Sequence, residues 1–308
     1  MTIPSVACIG EAMLELSGET GAEPLRLTNA FAGDTLNTAV YLARLGLGEV
    51  AYVTLLGQDA VSDSMLRFMA AEGLSTEHVG RHPDRLPGIY MIENEPDGER
   101  HFRYWRDAAA ARRLFTGEAG PRPEDLSSYG LIYLSGISVA ILSEEARAAL
   151  LAFLPGYRAG GGRFAFDSNY RPRLWSSAAE AREVLARFWA EADIALPSID
   201  DEIALHGGGE AGVLARFGAL TGAEVLIKRG ADGPLALTGG QVQALAPFPR
   251  AERVVDTTGA GDSFNAGYLA ARLSGADIAT SAARAHALSM EVIGHRGAIL
   301  PRRSPQPA

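Results

Sequence analysis

The chain has 308 residues, of which 47% are hydrophobic and 21% are charged, a balance typical of a soluble globular protein. The formal net charge of −9 argues against a nucleic-acid-binding surface, and a single cysteine, Cys8, excludes a disulfide framework within the chain. The first residues lack the basic start of a signal peptide, and no apolar run is long enough to cross a bilayer. We therefore expect a cytoplasmic protein that binds neither nucleic acid nor membranes.

Short apolar runs alternate with helical patterns along the chain. Buried strands are predicted at residues 6–10, 50–56, 131–135, 163–167, 194–197 and 224–228. Apolar residues recur at helical spacing in residues 35–45, 62–73, 143–154, 178–190 and 211–220. This alternation predicts an α/β fold in which helices cover both faces of a mostly parallel sheet. Ligands of such sheets bind at the carboxyl ends of the strands.

Two regions, residues 11–32 and 88–106, interrupt this alternation with extended segments. A polar turn at 94–99 predicts that the second region is a hairpin. We expect the two regions to form a small β-sheet that projects from the main domain. Such a sheet is marginal alone, so it either covers the site as a lid or pairs with a second copy of the chain. A homo-oligomer formed through this lid is our expectation.

Residues 254–270 combine a strand end, the turn Gly259-Ala260-Gly261 and a helix that begins near Asp262. Glycine permits close approach of the backbone, and the amides of a helix N-terminus carry partial positive charge. The stretch is therefore typical of a phosphate or oxyanion site. A carboxylate there would repel phosphate unless it served as a base. The alternative is that Asp262 only caps the helix.

A second polar group lies at the start of the first predicted helix. Gly33 closes a turn, and Asp34 and Asn37 follow one helical turn apart. A carboxylate beside a carboxamide suits the vicinal hydroxyls of a polyol. An N-capping aspartate with a first-turn asparagine is the alternative.

Two arginines suggest that the ligand is an anion. Arg171 precedes Pro172, which disfavours helix at that position, so its guanidinium lies on a loop where it could clamp phosphate or carboxylate. Pairing with surface acids is the alternative. Tyr104 and Arg106 share one face of the predicted hairpin, with Tyr90 on the partner strand. This group fits recognition of an anionic small molecule or, alternatively, a dimer interface.

Lys228 is the only lysine among 28 basic residues, and a glycine turn at 228–233 follows it. By itself this turn predicts no more than a hairpin. The six histidines lack zinc-site spacing, and the chain contains neither a Walker A loop nor a Gly-x-Ser-x-Gly motif.

Together these residues resemble the ribokinase-like carbohydrate kinase family. Residues 33–46 match its N-terminal signature and residues 256–270 its C-terminal signature. Further segments are similar to the bacterial sugar-acid kinases of the family: 10–17, 85–90, 104–106, 133–138, 169–175 and 228–232. The resemblance implies one ribokinase-like three-layer α/β/α domain over residues 1–308, with a small β-sheet lid formed by about 11–32 and 88–106.

The resemblance also implies an activity, the ATP-dependent phosphorylation of the 6-hydroxyl of 2-keto-3-deoxygluconate. A neutral sugar such as fructose, or the galactonate epimer, is the alternative substrate. Asp262 is then the general base, and the amides of Gly259, Ala260 and Gly261 form an anion hole. The residues implied for the sugar acid are Gly33, Asp34, Asn37, Tyr90, Tyr104, Arg106, Arg171 and Asp262. Those implied for ATP are Asn169, Arg171, Lys228, Gly230, Asp232, Gly233, Gly259 and Gly261.

Cations follow from the same resemblance. Mg²⁺ would accompany ATP, and a monovalent cation such as K⁺ could lie near Asp256 and the backbone of Thr258. Many relatives carry an Asn-x-x-Glu motif that organises metal-bound water, of which this chain retains Glu202 but has Ile199 at the asparagine position. We considered a non-catalytic sugar-binding or scaffold protein. The intact Gly-Ala-Gly-Asp turn argues against that reading, because binding alone needs no base beside a phosphate site.

Overall fold

The computed structural model describes residues 4–18, 26–94 and 100–302. The strands of this part of the chain are β1 (Val6–Ile9), β2 (Met13–Gly18), β3 (Leu27–Ala32), β4 (Val50–Leu56), β5 (Val79–Arg81), β6 (Gly88–Asn94), β7 (Arg100–Trp105), β8 (Leu131–Ser135), β9 (Arg163–Asp167), β10 (Ile194–Leu196), β11 (Glu224–Ile227), β12 (Leu235–Thr238) and β13 (Gln241–Gln243). Its α-helices are α1 (Asp34–Arg44), α2 (Ala60–Ala71), α3 (Gly136–Ile141), α4 (Glu144–Ala159), α5 (Ala178–Glu191), α6 (Ile199–His206), α7 (Gly209–Gly218), α8 (Ala260–Leu273) and α9 (Ile278–Ile293).

The large sheet has the strand order β13-β12-β11-β10-β9-β8-β1-β4-β5. All neighbours pair in parallel except β12 and β13, which form an antiparallel edge. The mostly parallel α/β fold is therefore confirmed. The strand order reverses direction between β1 and β8, and in open α/β sheets the ligand crevice lies outside the carboxyl ends of the strands at such a point.

Residues of the large sheet alternate between two apolar cores, one on each face. One core combines strand residues such as Ile9 and Phe166 with α3, α4 and α5, and the other combines Cys8 and Tyr133 with α1, α2, α8 and α9. Helices α8 and α9 approach closely because Gly267 has no side chain: a Cβ there would lie 2.8 Å from the Cα of Ala285. The result is the predicted three-layer arrangement.

The small sheet has the order β3-β2-β6-β7, and β6 and β7 form the predicted hairpin. Most of the turn predicted at 94–99 lies outside the described residues. The small sheet has its own apolar cluster, which includes Met13, Tyr90 and Ile92. The chain enters this sheet just after Glu11 and leaves it at Arg106.

One helix is longer than the sequence pattern predicts. We expected the helix at 143–154 to end before Pro155, but α4 continues to Ala159. The buried hydroxyl of Tyr157 donates to the carbonyl oxygen of Tyr129 at 2.8 Å and lies 3.2 Å from that of Arg163, so tertiary contacts stabilise this last turn. Among the described residues, no helix has both the length and the apolar character needed to cross a bilayer.

Candidate active site

The glycine turn that precedes α8 is closed by a left-handed residue. Gly259 has φ of +76°, and a Cβ on it would lie 2.7 Å from the carbonyl oxygen of Ala298. Glycine is therefore required there. A Cβ on Gly261 would meet only the Nζ of Lys228, at 3.9 Å, so a ligand can approach this side of the turn.

The first turn of α8 offers fewer amides than the sequence suggests. The amide of Ala260, which we predicted to be part of the anion hole, donates to the carbonyl oxygen of Thr257 at 3.2 Å. Helix geometry leaves the amides of the next two residues, Gly261 and Asp262, without carbonyl partners in the helix. These amides, and the partial positive charge of the helix N-terminus, can stabilise an anion.

Asp262 does not cap α8, because the N-cap residue is Gly259 and no side chain caps the helix. Its carboxylate instead accepts a hydrogen bond from Nδ2 of Asn37 at 2.8 Å. Burial, followed by the charge of Asp34, raises the pKa of Asp262 to about 8, while the Asn37 hydrogen bond and the charge of Lys228 lower it. A carboxylate with such a pKa is suited to accept a proton near neutral pH.

Asp34 is the first residue of α1 rather than its cap, since Gly33 occupies the N-cap position. Its Oδ2 accepts a hydrogen bond from Nδ2 of Asn169 at 2.8 Å, and burial raises its pKa. Asn169 has a positive φ of 29°, a backbone conformation that costs energy and often occurs at functional sites. We predicted that Asn169 lies on the ATP side, but its side chain contacts a residue of the predicted sugar side.

Arg171 is exposed on the loop after β9. Its Nη1 lies 3.3 Å from Oδ1 of Asp201, while Oδ2 of Asp201 accepts hydrogen bonds from the hydroxyl of Ser168 and the amide of Tyr170. Arg171 therefore pairs with an acid in the structure, as the alternative to an anion clamp predicted. Its side chain remains 53% exposed, so it can also reach a ligand.

The acid of α6 that contacts this loop is Asp201, not Glu202. The carboxylate of Glu202 is 2% exposed and lies 3.4 Å from Arg216, and burial raises its pKa to about 7. Consecutive helical residues point about 100° apart, which explains why one acid reaches the loop and its neighbour does not. The place that we predicted for Glu202 near metal-bound water stays a prediction.

Tyr90, Tyr104 and Arg106 lie together at the small sheet. The two tyrosine rings stack with centroids 5.9 Å apart, and the guanidinium of Arg106 lies 5.9 Å from the Tyr104 centroid. Arg106 is buried and forms an ion pair with buried Glu11, and the Tyr90 hydroxyl donates to Glu15. The sequence analysis missed both glutamates, although acids within an apolar strand region are a usable signal.

Lys228 and the turn that follows it lie in different surroundings. Nζ of Lys228 is 2.6 Å from Oδ1 of Asp167 and 3.1 Å from Oδ1 of Asn265, beneath the glycine turn. Gly230 and Asp232, in contrast, are exposed, while Gly233 is buried against Phe248. The predicted ATP segment therefore divides into a half-buried lysine, an exposed stretch at 230–232 and a buried Gly233.

Asp256 holds the glycine turn against the C-terminal part of the chain. Its Oδ1 accepts hydrogen bonds from the amide and hydroxyl of Thr258, and its Oδ2 accepts one from the amide of Gly297. Among the residues that the structure describes, no three His, Cys, Asp or Glu side chains are grouped to bind a metal ion. The monovalent-cation site at Asp256 stays a prediction.

The model of the pfkB family of carbohydrate kinases matches residues 4–305. The chain belongs to this family. The resemblance seen in its two glycine-rich signatures is thereby confirmed. Among its pfkB relatives, the 2-dehydro-3-deoxygluconokinase of Dickeya dadantii is 45% identical over 309 residues, which are 98% of this chain and 98% of that protein. The enzyme of the same name from Escherichia coli K12 is also 45% identical, over 97% of this chain and 98% of its own.

Solved structures share the fold. The PfkB protein from Polaromonas sp. JS666 has a TM-score of 0.82 at 26% identity and covers 95% of this chain and 96% of that chain. Aminoimidazole riboside kinase from Salmonella enterica, solved with aminoimidazole riboside and an ATP analog, has a TM-score of 0.79 at 26% identity, covering 96% and 95%. The ribokinase-like fold with a second, smaller sheet is confirmed.

Proposed function

We propose that the protein transfers the γ-phosphoryl group of ATP to the 6-hydroxyl of 2-keto-3-deoxygluconate and releases 2-keto-3-deoxy-6-phosphogluconate. The observation that carries this proposal is the 45% identity, over nearly the whole chain, to proteins named 2-dehydro-3-deoxygluconokinase. The position of Asp262, in the first turn of α8 and bonded to Asn37, supports it. In this proposal the whole chain, residues 1–308, works as one kinase unit.

Asp262 is the proposed general base. It takes the proton of the 6-hydroxyl while that oxygen bonds to the γ-phosphorus and the bond from phosphorus to the leaving ADP oxygen breaks. Phosphoryl transfer requires mainly positioning and charge stabilisation from the protein. The amides at the start of α8, including that of Gly261, are placed to stabilise charge on the transferring group.

The substrate side is assigned to Gly33, Asp34 and Asn37 for the hydroxyls, with Tyr90, Tyr104, Arg106 and Arg171 at the carboxylate end. The carboxylate assignment rests on chemistry: a guanidinium binds a carboxylate by charge-assisted hydrogen bonds. Because Arg106 already pairs with Glu11, the net positive charge offered to the substrate is small in this structure, and exposed Arg171 supplies the second cation.

The nucleotide is assigned to the exposed turn at 230–233, with Lys228, Arg171, Gly259 and Gly261 on the phosphate side. Mg²⁺ bound with ATP would supply charge neutralisation on the phosphates, and it would take most of its ligands from phosphate oxygens and water. Asp201, which faces the Arg171 loop, is better placed than Glu202 to contact that water. Asp256 is the proposed neighbour of a K⁺ ion.

We further propose that two copies of the chain associate through the small sheet in the cytoplasm. Tyr104 and Trp105 are 49% and 57% exposed on this sheet, and aromatic residues are enriched in protein interfaces.

A substrate panel tests the proposed function. Release of ADP is measured with 2-keto-3-deoxygluconate, its galactonate epimer, fructose and ribose. We expect kcat/KM for the sugar acids to exceed that for the neutral sugars by at least about 100-fold, the effect of one or two charge-assisted hydrogen bonds. Equal values would remove the acid-specific part of the proposal. A neutral-sugar kinase is the second candidate, because the fructokinase of Klebsiella pneumoniae is 30% identical over 270 residues.

A further inference from the structure

We propose that Glu11 is a further specificity-determining residue of the sugar-acid site. In the ligand-free protein its carboxylate is the counter-ion of Arg106, and the carboxylate of a bound sugar acid competes with it for the guanidinium. Glu11 acts through Arg106 and needs no contact of its own with the substrate. The inference rests on the proposed function, because it concerns the acid substrate of the same site.

Glu11 and Arg106 lie at the two points where the chain enters and leaves the small sheet. Glu11 precedes β2, and Arg106 follows β7. Nη2 of Arg106 donates to Oε2 of Glu11, and the two side chains are only 7% and 1% exposed. A buried guanidinium without an anion is costly, so the protein must supply one whenever no anionic ligand is bound. Glu11 is the carboxylate that pairs with it.

The carboxylate of Glu11 lies on the face of the small sheet that carries the predicted substrate residues. A Cβ on Gly88 would overlap Oε1 of Glu11 and would lie 3.1 Å from the Cβ of Arg106. Alternate residues of a strand share a face, so this is also the face of β6 that carries Tyr90, whose ring stacks on that of Tyr104. Glu11 therefore lies among the residues assigned to the carboxylate end of the substrate.

Three polar atoms of the predicted substrate site lack partners although their side chains are more than nine-tenths buried. Within residues 4–18, 26–94 and 100–302, no hydrogen bond is made by Nε of Arg106, Oε1 of Glu11 or Oδ1 of Asn37. Buried polar atoms are normally hydrogen-bonded, so these atoms point to a polar ligand. Arg106 holds Glu11 through one nitrogen, whereas an arginine can give a carboxylate two parallel bonds. A substrate carboxylate bound in that way gains a contact that Glu11 does not make.

A bound acid and the charge of Glu11 oppose each other. Burial raises the pKa of Glu11, while the charge and hydrogen bond of Arg106, followed by the charge of Arg112, lower it. The charge of Asp34 raises it further. A substrate carboxylate on Arg106 places a like charge beside Glu11 and Asp34, which weakens binding of the acid. A neutral sugar brings no charge and does not compete. Glu11 thus limits the affinity for the acid alone.

Replacing Glu11 with Gln tests this competition. Glutamine keeps an oxygen that can accept from Arg106 but carries no charge. We therefore expect KM for 2-keto-3-deoxygluconate to fall about 10-fold, while kcat/KM for fructose changes less than about threefold. The matched control is Glu93→Gln, which removes a carboxylate of the same sheet that pairs with exposed Arg103. This control should leave the kinetics of both substrates unchanged.

Thermal stability gives a second readout that needs no turnover. Glu11→Gln leaves Arg106 buried without a counter-ion, so its Tm should lie roughly 5 °C below that of the parent protein. Saturating 2-keto-3-deoxygluconate should close most of this gap, because its carboxylate supplies the missing charge, whereas fructose should not. The double variant Glu11→Gln with Arg106→Gln removes both charges. The acid should raise the Tm of the double variant less than it raises that of Glu11→Gln.

A crystal structure of the parent protein with 2-keto-3-deoxygluconate tests the competition without any variant, and so does not depend on whether Glu11→Gln folds. We expect the substrate carboxylate to bind Arg106 and the hydrogen bond from Nη2 of Arg106 to Glu11 to be broken. A substrate carboxylate bound away from Arg106, with the contact to Glu11 retained, would overturn the inference.

The kinetic and thermal measurements can overturn it as well. They do so if Glu11→Gln leaves KM for the acid unchanged or raises it, if KM for the acid and for fructose change in parallel, or if the acid restores none of the lost Tm. A wrong substrate assignment shows separately, because the parent protein would then have no preference for the sugar acid in the substrate panel. A parent protein that prefers the acid beside a Glu11→Gln variant without these effects would contradict the role of Glu11 only.

Discussion

Asn37 and Asp262 lie 225 positions apart in the chain, yet Nδ2 of Asn37 donates to Oδ2 of Asp262 at 2.8 Å. The neighbouring Thr38 hydroxyl also donates to the carbonyl oxygen of Asp262, at 3.2 Å. These two bonds join the start of α1, which carries the predicted sugar-binding residues, to the start of α8, which carries the predicted base. The substrate helix and the base are therefore positioned as one unit.

Replacing Asp262 with Asn should abolish most turnover. The amide cannot accept the hydroxyl proton, so we expect kcat to fall by a factor of about 10² to 10⁴, the usual contribution of a general base. The Kd of ADP, measured by calorimetry, should stay unchanged. Asp84→Asn, at an exposed position, is the matched control and should keep the parent kcat. An Asp262→Asn variant with near-normal turnover would exclude this residue as the base.

The same substitution should stabilise the fold at high pH. The pKa of Asp262 is raised from 3.8 to about 8, so the folded state holds this proton more tightly than the unfolded state does. Its contribution to stability is greatest in acid and declines as pH rises from about 4 to about 8. Asp262→Asn should therefore melt roughly 2 °C or more above the parent at pH 8. The difference should shrink as pH falls toward 5. A lower Tm at pH 8 would contradict the raised pKa.

The two glycines of the turn should respond differently to alanine. Gly259→Ala places a Cβ on a residue with a left-handed backbone, 2.7 Å from the Ala298 carbonyl oxygen. We expect this substitution to lower the free energy of unfolding by roughly 1–3 kcal/mol. Gly261→Ala meets only Lys228 at 3.9 Å, so stability should change little while kcat falls, because the methyl group occupies the approach of the phosphoryl group. Urea unfolding and ADP release separate the two effects. Equal losses of stability would show that the turn is not open at Gly261.

Arg106 should determine the preference of the enzyme for a sugar acid over a neutral sugar. Arg106→Gln keeps a donor for Glu11 but removes the charge, and we expect KM for 2-keto-3-deoxygluconate to rise roughly 10- to 100-fold. The kcat/KM for fructose should not fall. Arg103→Gln, three residues earlier with a side chain that is 62% exposed, is the control and should leave both substrates unaffected. Parallel losses on acid and neutral sugars would show that Arg106 supports only the fold.

The alternation of strands and helices was predictable because each element buries a continuous apolar face. The predicted strands at 50–56, 131–135 and 163–167 match β4, β8 and β9 residue for residue. Helix α4 was predicted too short, since nothing local shows that Tyr157 bonds to the backbone of distant residues and sustains the helix beyond Pro155.

The site was predicted as a set of residues but not as a set of contacts. The residue types at 33–37 and 259–262, and their spacing, indicate a polyol site and a phosphate site without any knowledge of the fold. The local sequence was therefore enough to predict these residues. The side-chain pairs of the site depend on which strand ends meet, as in Asp34 with Asn169, Arg106 with Glu11 and Lys228 with Asp167. Neither the hydrophobic periodicity nor the spacing of motifs in the sequence shows which strand ends lie together. Which acid of α6 contacts the Arg171 loop, Asp201 rather than Glu202, depends on the exact rotation of α6.

The most direct test is to identify the product that the purified protein makes from 2-keto-3-deoxygluconate and ATP. Phosphorus–proton correlation NMR of the reaction mixture shows which carbon carries the new phosphate ester. We predict one ester at carbon 6 and one equivalent of ADP, and an ester that forms about 10² to 10⁴ times more slowly when Asp262→Asn replaces the parent protein. ADP formation without a carbon-6 ester would contradict the proposed activity. An Asp262→Asn variant that forms the ester as fast as the parent protein would contradict the role of Asp262.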